Sequence, residues 1–143
     1  MELFLDSNVL LRYLADDPLA AEVVESDNTF YVNSTVVSEV IYGYIRARTG
    51  LSPFALKRRF PSVDLDFTPV ETLLENVIEI PIPPARVIVE TVKSYGLLPN
   101  DAAIVASMRA AGLNTLATFD SDFERVDWIK LVPEAYWLRQ NVQ

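Results

Sequence analysis

Short apolar runs alternate with longer stripes of helical period from one end of the chain to the other. Leu3 to Asp6 reads as a first strand and Asn8 to Leu14 as the helix that follows it. Asp17-Pro18 supplies an N-cap and a first-turn proline for a second helix, to about Glu25. Phe30-Tyr31-Val32 is a β-type run after the turn-prone pair Asp27-Asn28. Asn33 or Ser34 can cap the next helix, in which Val36, Val37, Val40, Ile41, Tyr44 and Ile45 recur at helical spacing to about Arg48. Thr49-Gly50 ends it. The β-branched residues at its start suit a strand equally well.

Ser52-Pro53 opens a short helix, and Pro69 with Glu71 opens another that ends near Val77. Ile78-Glu79-Ile80 reads as extended, and Pro81, Pro83 and Pro84 bar a helix through it. Helices are predicted from Ala85 to Ser94, before Gly96, and from Pro99-Asn100-Asp101 to about Ala111, before Gly112. Thr115 to Thr118 and Trp128 to Leu131 are the last two short strands. This alternation predicts an α/β protein, a parallel sheet between helical layers joined by right-handed crossovers. No repeat, low-complexity tract or linker interrupts it, so residues 1–143 are predicted to form one domain. The prolines near Pro83 mark a turn between elements.

Composition removes several classes of chemistry. Half of the residues are apolar, which excludes a disordered chain. There is no Cys, hence no disulfide framework and no thiolate zinc site. Met1-Glu2-Leu3 lacks the basic region of a secretory signal, and no apolar run nears the roughly 20 residues of a membrane span. A soluble cytoplasmic protein is the expectation. There is also no His, so the usual imidazole base is missing along with the thiolate nucleophile. For chemistry near neutral pH this leaves mainly carboxylates, holding a hard cation.

Five acids occupy positions where such chemistry could be built. Asp6 ends the first strand, and Asp120 and Asp122 follow the strand ending at Thr118. Asp101 lies in a helical first turn, and Glu39 lies one turn into its helix, bordering the apolar stripe. In a parallel sheet the residues just beyond the strand ends meet on one rim. Each acid also has a plainer role: Asp6 as a cap or Asx turn, Glu39 as a surface residue, Asp101 as a dipole partner, Asp120 and Asp122 as loop acids. Together they would repel, by roughly 4 kcal/mol per pair about 4 Å apart at an effective dielectric near 20. A cation among them removes that penalty, and Mg²⁺ or Mn²⁺ suits carboxylate and water ligands. Such a site can activate water against a phosphodiester.

The formal charge of −8 weighs against non-specific nucleic-acid binding. The cations are nevertheless concentrated, with Arg46, Arg48, Lys57, Arg58 and Arg59 in one stretch. That stretch is either a solvated helix face or a phosphate path.

Four pieces in order, Leu5-Asp6-Ser7-Asn8, Ser38-Glu39-Val40, Asn100-Asp101-Ala102-Ala103-Ile104 and Thr118-Phe119-Asp120-Ser121-Asp122-Phe123, resemble the PIN domain. Within that family the chain most resembles the toxin ribonucleases of VapBC-type toxin–antitoxin pairs. The resemblance covers nearly the whole chain. It implies a three-layer α/β/α sandwich with a mostly parallel sheet and Mg²⁺- or Mn²⁺-dependent RNA cleavage leaving 5′-phosphate and 3′-hydroxyl ends. By position, Asp6, Glu39, Asp101 and Asp120 match the acidic quartet that binds the metal, and Asp122 a further acid beside it. Asn8 and Thr118 match polar positions that orient the first carboxylate and the scissile phosphate. The RNA path would rest on Arg46, Arg48, Lys57, Arg58 and Arg59, helped by Arg12 and Arg109. A homodimer and a small antitoxin partner are further implications, with Tyr42 and Tyr44 as either contact residues or core. Phe119 departs from a position frequently polar in relatives.

Two other classes fit parts of the pattern. A non-catalytic PIN-like scaffold or RNA-binding module would not need clustered charge. A phosphoryl-transfer protein using Asp6 as nucleophile would want a second Asp where Asn8 stands, or a suitably placed Lys after the strand ending at Thr118.

Overall fold

The computed structural model of the chain describes residues 1–141. Five parallel strands, β1 (Glu2–Leu5), β2 (Thr29–Val32), β3 (Ile78–Glu79), β4 (Thr115–Ala117) and β5 (Lys130–Val132), form a sheet in the order β3-β2-β1-β4-β5. Among the described residues eight α-helices flank it: α1 (Ser7–Leu14), α2 (Pro18–Val24), α3 (Ser34–Thr49), α4 (Pro53–Arg59), α5 (Thr68–Leu74), α6 (Ala85–Tyr95), α7 (Pro99–Ala111) and α8 (Glu134–Asn141). The three-layer α/β/α class read from the sequence is the observed one.

Parallel strands are covered on both faces, so β1 and β4 are apolar throughout their inner lengths. Phe4, Leu5, Leu116 and Ala117 are fully buried, together with Val9, Leu10, Val36, Val40, Ile104, Met108 and Phe123 from the helices and loops around them. Each large apolar side chain so buried contributes roughly 1.5–3 kcal/mol. The register pairs Phe4 with Tyr31 on one side and with Leu116 on the other. The chain builds outward from β1 to β2 and β3, then returns to lay β4 and β5 on the opposite side. The strand order therefore reverses between β1 and β4, the place where open α/β sheets keep their ligands.

Local chemistry sets the helix ends much as the sequence predicts. Asp17 Oδ1 accepts from the Leu19 and Ala20 amides, with Pro18 in the first turn. Asn33 does more than cap α3. Its Oδ1 accepts from the Val36 amide, while Nδ2 donates to Ser107 Oγ at 3.1 Å and to the Ala103 carbonyl at 3.4 Å. Ser107 in turn donates to the Pro81 carbonyl. One buried amide thus fastens the ends of β2 and α3 to α7. Helices α1 and α3 meet at Gly43, where a Cβ would lie 2.6 Å from Leu11 Cδ1.

Two elements differ from expectation by more than a residue at one end, and one helix is additional. Helix α5 stops at Leu74 instead of continuing to Val77. The last strand is Lys130–Val132, not Trp128 to Leu131, because Trp128 is used outside the sheet, its indole Nε1 donating to Tyr95 Oη at 3.0 Å. Helix α8 was not anticipated, since its packing residues Tyr136 and Trp137 are adjacent and leave no helical repeat to read. Of the two tyrosines considered for partner contacts, Tyr44 belongs to the core, with its hydroxyl donating to the Asp66 carbonyl at 2.6 Å, and Tyr42 is exposed. No helix among the described residues is long and apolar enough to cross a membrane.

Asn33→Ala removes a cap and leaves a buried hydroxyl short of a partner, which costs about 2 kcal/mol. The expected result is a melting temperature lower by roughly 6 °C, read by circular dichroism. An unchanged melt would show that the Asn33 network does not contribute.

Candidate active site

Asp6 follows β1 directly, and its amide continues the sheet ladder by donating to the Ala117 carbonyl at 2.9 Å. That single bond sets Asp6 beside Thr118 at the point where the strand order reverses. The Asp6 carboxylate is buried, with 5% of the residue's surface exposed, so its oxygens must be satisfied by protein donors. Oδ1 accepts from the Ser7 amide at 2.8 Å; Oδ2 accepts from Thr118 Oγ1 at 2.8 Å and from Asn8 Nδ2 at 3.2 Å. Thr118 Oγ1 also accepts from the Asp120 amide at 3.0 Å, and Asn8 Oδ1 accepts from the Phe119 amide at 3.2 Å. Asn8 and Thr118 thereby join the first acid to the segment carrying the later ones.

Asp101, Asp120 and Asp122 complete a tight group, each offering a carboxylate oxygen within 4.8 Å of the others. Asp120 Oδ1 accepts from the Asp122 amide at 2.9 Å and caps the short 3₁₀ turn Ser121–Arg125. Asp6 and Glu39 lie outside that tightest group but face it electrostatically. Burial and then the charges of Asp6, Asp120 and Asp122 push the Asp101 carboxyl up to about 6, with Arg125 acting the other way. Burial likewise raises Asp6 to about 6, opposed by the Thr118 and Ser7 donors and reinforced by Glu39 and Asp120. Glu39 is raised by burial and by Asp101, offset by the side chains of Asn100 and Ser7. All five sequence-nominated acids converge on one rim.

The donor set is oxygen only, clustered, partly buried and mutually repelling. A hard divalent cation fits it: carboxylate oxygens are its preferred ligands, and its charge would reverse the upward shifts of Asp6 and Asp101. A soft ion has no thiolate or imidazole to bind, since the chain contains neither Cys nor His.

The model of the PIN domain matches residues 3–129. The chain belongs to the PIN domain family. Ribonuclease VapC2 of Methanocaldococcus jannaschii is 30% identical over 138 residues, spanning 92% of this chain and 93% of that protein. Ribonuclease VapC6 of the same organism is 27% identical over 147 residues, spanning 92% and 96%. The fold is similar to VapBC2 of Rickettsia felis, crystallised with a DNA fragment from its promoter, at a TM-score of 0.60 and 19% identity over 92% of this chain and 98% of that one.

The basic residues do not join the acids. Arg46 and Arg48 lie at the far end of α3, Arg46 two turns and roughly 10 Å along the axis beyond Glu39, and Lys57, Arg58 and Arg59 lie on α4. All five are exposed. Arg46 Nε donates to the Leu51 carbonyl, Arg48 Nε to Tyr44 Oη, and Arg58 lies over the Phe54 ring. Arg109 is at the opposite end of α7 from Asp101, over Trp128. Arg12 comes nearer, its guanidinium 4.0 Å above the ring of Phe119, next in sequence to Asp120.

Sequence reasoning missed two supports of this PIN site. Helix α8 secures the strand-end loop: Trp137 Nε1 donates to the Thr118 carbonyl at 3.2 Å, Tyr136 Oη to the Phe119 carbonyl at 3.4 Å, and the Tyr136 ring meets Phe119 edge-on. Only the neighbouring aromatics Tyr136-Trp137 hinted at it. Arg125 was the second, and no motif marks it.

The folded-state values of Asp6 and Asp101 stand above their ordinary 3.8, so ionising these groups opposes folding. Their contribution to stability is complete below pH 3.8 and is lost as pH rises through about 6. In metal-free protein Asp101→Asn is therefore expected to melt higher than the parent at pH 7, by roughly 2–4 °C for about 1 kcal/mol once solvent screening of this half-buried group is allowed for, and by less at pH 5. Equal differences at both pH values, followed by differential scanning calorimetry in chelator, would contradict the charge-crowding account.

Proposed function

We propose that the chain is a metal-dependent endoribonuclease, the toxin of a toxin–antitoxin pair, using Mg²⁺ or Mn²⁺. The observation that carries this reading is the meeting of Asp6, Glu39, Asp101, Asp120 and Asp122 at the strand-order reversal, three of them within 4.8 Å of one another. The relatives named as ribonucleases, one of them 30% identical along almost the whole chain, support the RNA substrate.

In this reading Asp6, Glu39, Asp101 and Asp120 hold the ion, with Asp122 beside them. When bound, a divalent ion supplies Lewis-acid stabilisation of the phosphodiester and lowers the pKa of an attacking water. The chain's own contribution is orientation. Thr118, Asn8 and the Ser7 amide lock the Asp6 carboxylate, and Thr118 simultaneously fixes the Asp120 backbone. With no imidazole available, a carboxylate receives the water's proton. Glu39 is suited to it, because it lies outside the tightest carboxylate group and burial and the charge of Asp101 make it a stronger proton acceptor than an ordinary glutamate. Hydrolysis then leaves 5′-phosphate and 3′-hydroxyl ends.

RNA would follow the cations of α3 and α4, Arg46, Arg48, Lys57, Arg58 and Arg59, with Arg12 as the contact nearest the acids. We assign the protein to the cytoplasm, as a homodimer restrained by a small antitoxin, with exposed Tyr42 available for such a contact.

Incubation with RNA and Mn²⁺ tests the proposal directly. Asp6→Asn and Asp101→Asn should each lower the cleavage rate by roughly 10²–10³-fold with unchanged circular dichroism, and chelator should abolish cleavage. Thr118→Val, which removes support instead of a ligand, should lose about 10–100-fold. Cleavage that survives chelator, or both Asp variants, would refute the assignment. For the path, exchanging Arg46, Lys57 and Arg58 for Ala together should raise KM and flatten the salt dependence by about one unit of slope per lost phosphate contact; an unaltered slope would move the path elsewhere.

A further inference from the structure

The three close carboxylates come from two separate segments. Asp101 belongs to the first turn of α7, and Asp120 and Asp122 belong to the loop and 3₁₀ turn after β4. Like charges so close drive their carriers apart unless something spans the gap. Arg125, the last residue of that 3₁₀ turn, does so. Its Nη1 donates to the Gly96 carbonyl at 2.7 Å and its Nη2 to Asp122 Oδ1 at 3.4 Å. Gly96 takes the left-handed conformation, φ 65°, that ends α6. From Gly96 the chain passes through buried Leu97 into Pro99 and α7, reaching Asp101 five residues on. The Arg125 fork therefore connects the lead-in of one acid-bearing segment to an acid of the other.

We propose that Arg125 is a positioning residue that keeps Asp101 at ligating distance from Asp120 and Asp122. This inference rests on the divalent-metal reading of the site. Two donors on a rigid plane are needed to reach a backbone carbonyl and a carboxylate together, which Arg provides and the single ammonium of Lys does not. Trp128 supplies a second fastening between the same segments, through Tyr95. That bond ends on Tyr95, the last residue of α6, and reaches no acid, whereas the Arg125 fork ends on Asp122 itself.

Position and charge make opposite demands on the metal, which makes the proposal decidable. A cation beside the site repels a metal ion, so an Arg125 acting by charge alone would bind Mn²⁺ more tightly once removed. A positioning residue does the reverse, because the acids spread without it and must be regathered.

The test uses the full chain with Arg125→Ala, Arg125→Gln and Arg125→Lys. Isothermal titration with Mn²⁺ gives affinity, and amide hydrogen exchange of residues 97–103 and 119–123 is followed in metal-free protein. A core variant at the other end of α7, Leu113→Ala, controls for general destabilisation. The Ala and Gln variants should bind Mn²⁺ about 10-fold more weakly, the Lys variant should recover part of the loss, and both segments should exchange faster. Leu113→Ala should lower the melting temperature with Mn²⁺ affinity unchanged. Binding by Ala and Gln that equals or exceeds the parent's would overturn the proposal. If the parent itself binds no Mn²⁺, the metal reading fails on its own, and exchange still decides the tether: faster exchange upholds it and unchanged exchange overturns it.

Discussion

Thr118 donates to Asp6 across the place where β1 and β4 meet, joining residues 112 positions apart in the chain. A carboxylate buried at a strand end would be costly without donors, and Thr118, Asn8 and the Ser7 amide offset that cost. The same hydroxyl accepts from the Asp120 amide, so satisfying the first acid also fixes where the later acids start. Helix α8 then braces the strand end from behind through the Thr118 carbonyl. The sheet order and the loop after β4 converge on this one hydroxyl, and helix α8 on the carbonyl of the same residue.

Gathering acids here works against stability. The upward displacement of Asp6, Glu39 and Asp101 shows ionised forms that the fold disfavours in the absence of a cation. Sites built for chemistry commonly carry such a cost, and the surrounding fold must over-determine their geometry to sustain it. Here that rigidity comes from Asn33 tying β2 and α3 to α7, from the close approach of α1 and α3 at Gly43, and from the Arg125 bridge. Each acts on an element that carries an acid, without using the acid's own oxygens, Arg125's long bond to Asp122 excepted.

Legibility in the sequence followed the range of the interactions. Asp17-Pro18, Asn33 and the stripe through Val36, Val40 and Tyr44 act within a few residues, and their elements were readable. The acids were readable too, because strand ends and helix starts mark positions that a parallel sheet must bring to one rim. Helix α8 and Arg125 were not, because their partners Thr118, Phe119 and Gly96 are 17 to 29 residues away in sequence and no periodicity announces them. Trp128 shows the reverse error: β-prone in a β-prone run, it was recruited by Tyr95 instead of the sheet. Tyr44 could be read as core or contact from spacing alone, and its bond to the Asp66 carbonyl decides for the core.

The net charge of −8 stands against the proposed RNA substrate only if charge is summed over the whole molecule. Exposed charges farther apart than a Debye length, about 8 Å at physiological ionic strength, are largely screened from one another. A phosphate on the α3–α4 surface therefore responds chiefly to the cations beside it. Helix α3 carries Glu39 near its start and Arg46 and Arg48 near its end, so one rigid element holds acid and cation at a spacing of roughly 10 Å or more. A bound divalent ion would neutralise part of the acidic rim at the moment the backbone has to approach it. In the proposed arrangement the acids would repel nucleic acid until a cation is bound, so the overall acidity would bear on when RNA binds more than on whether it does.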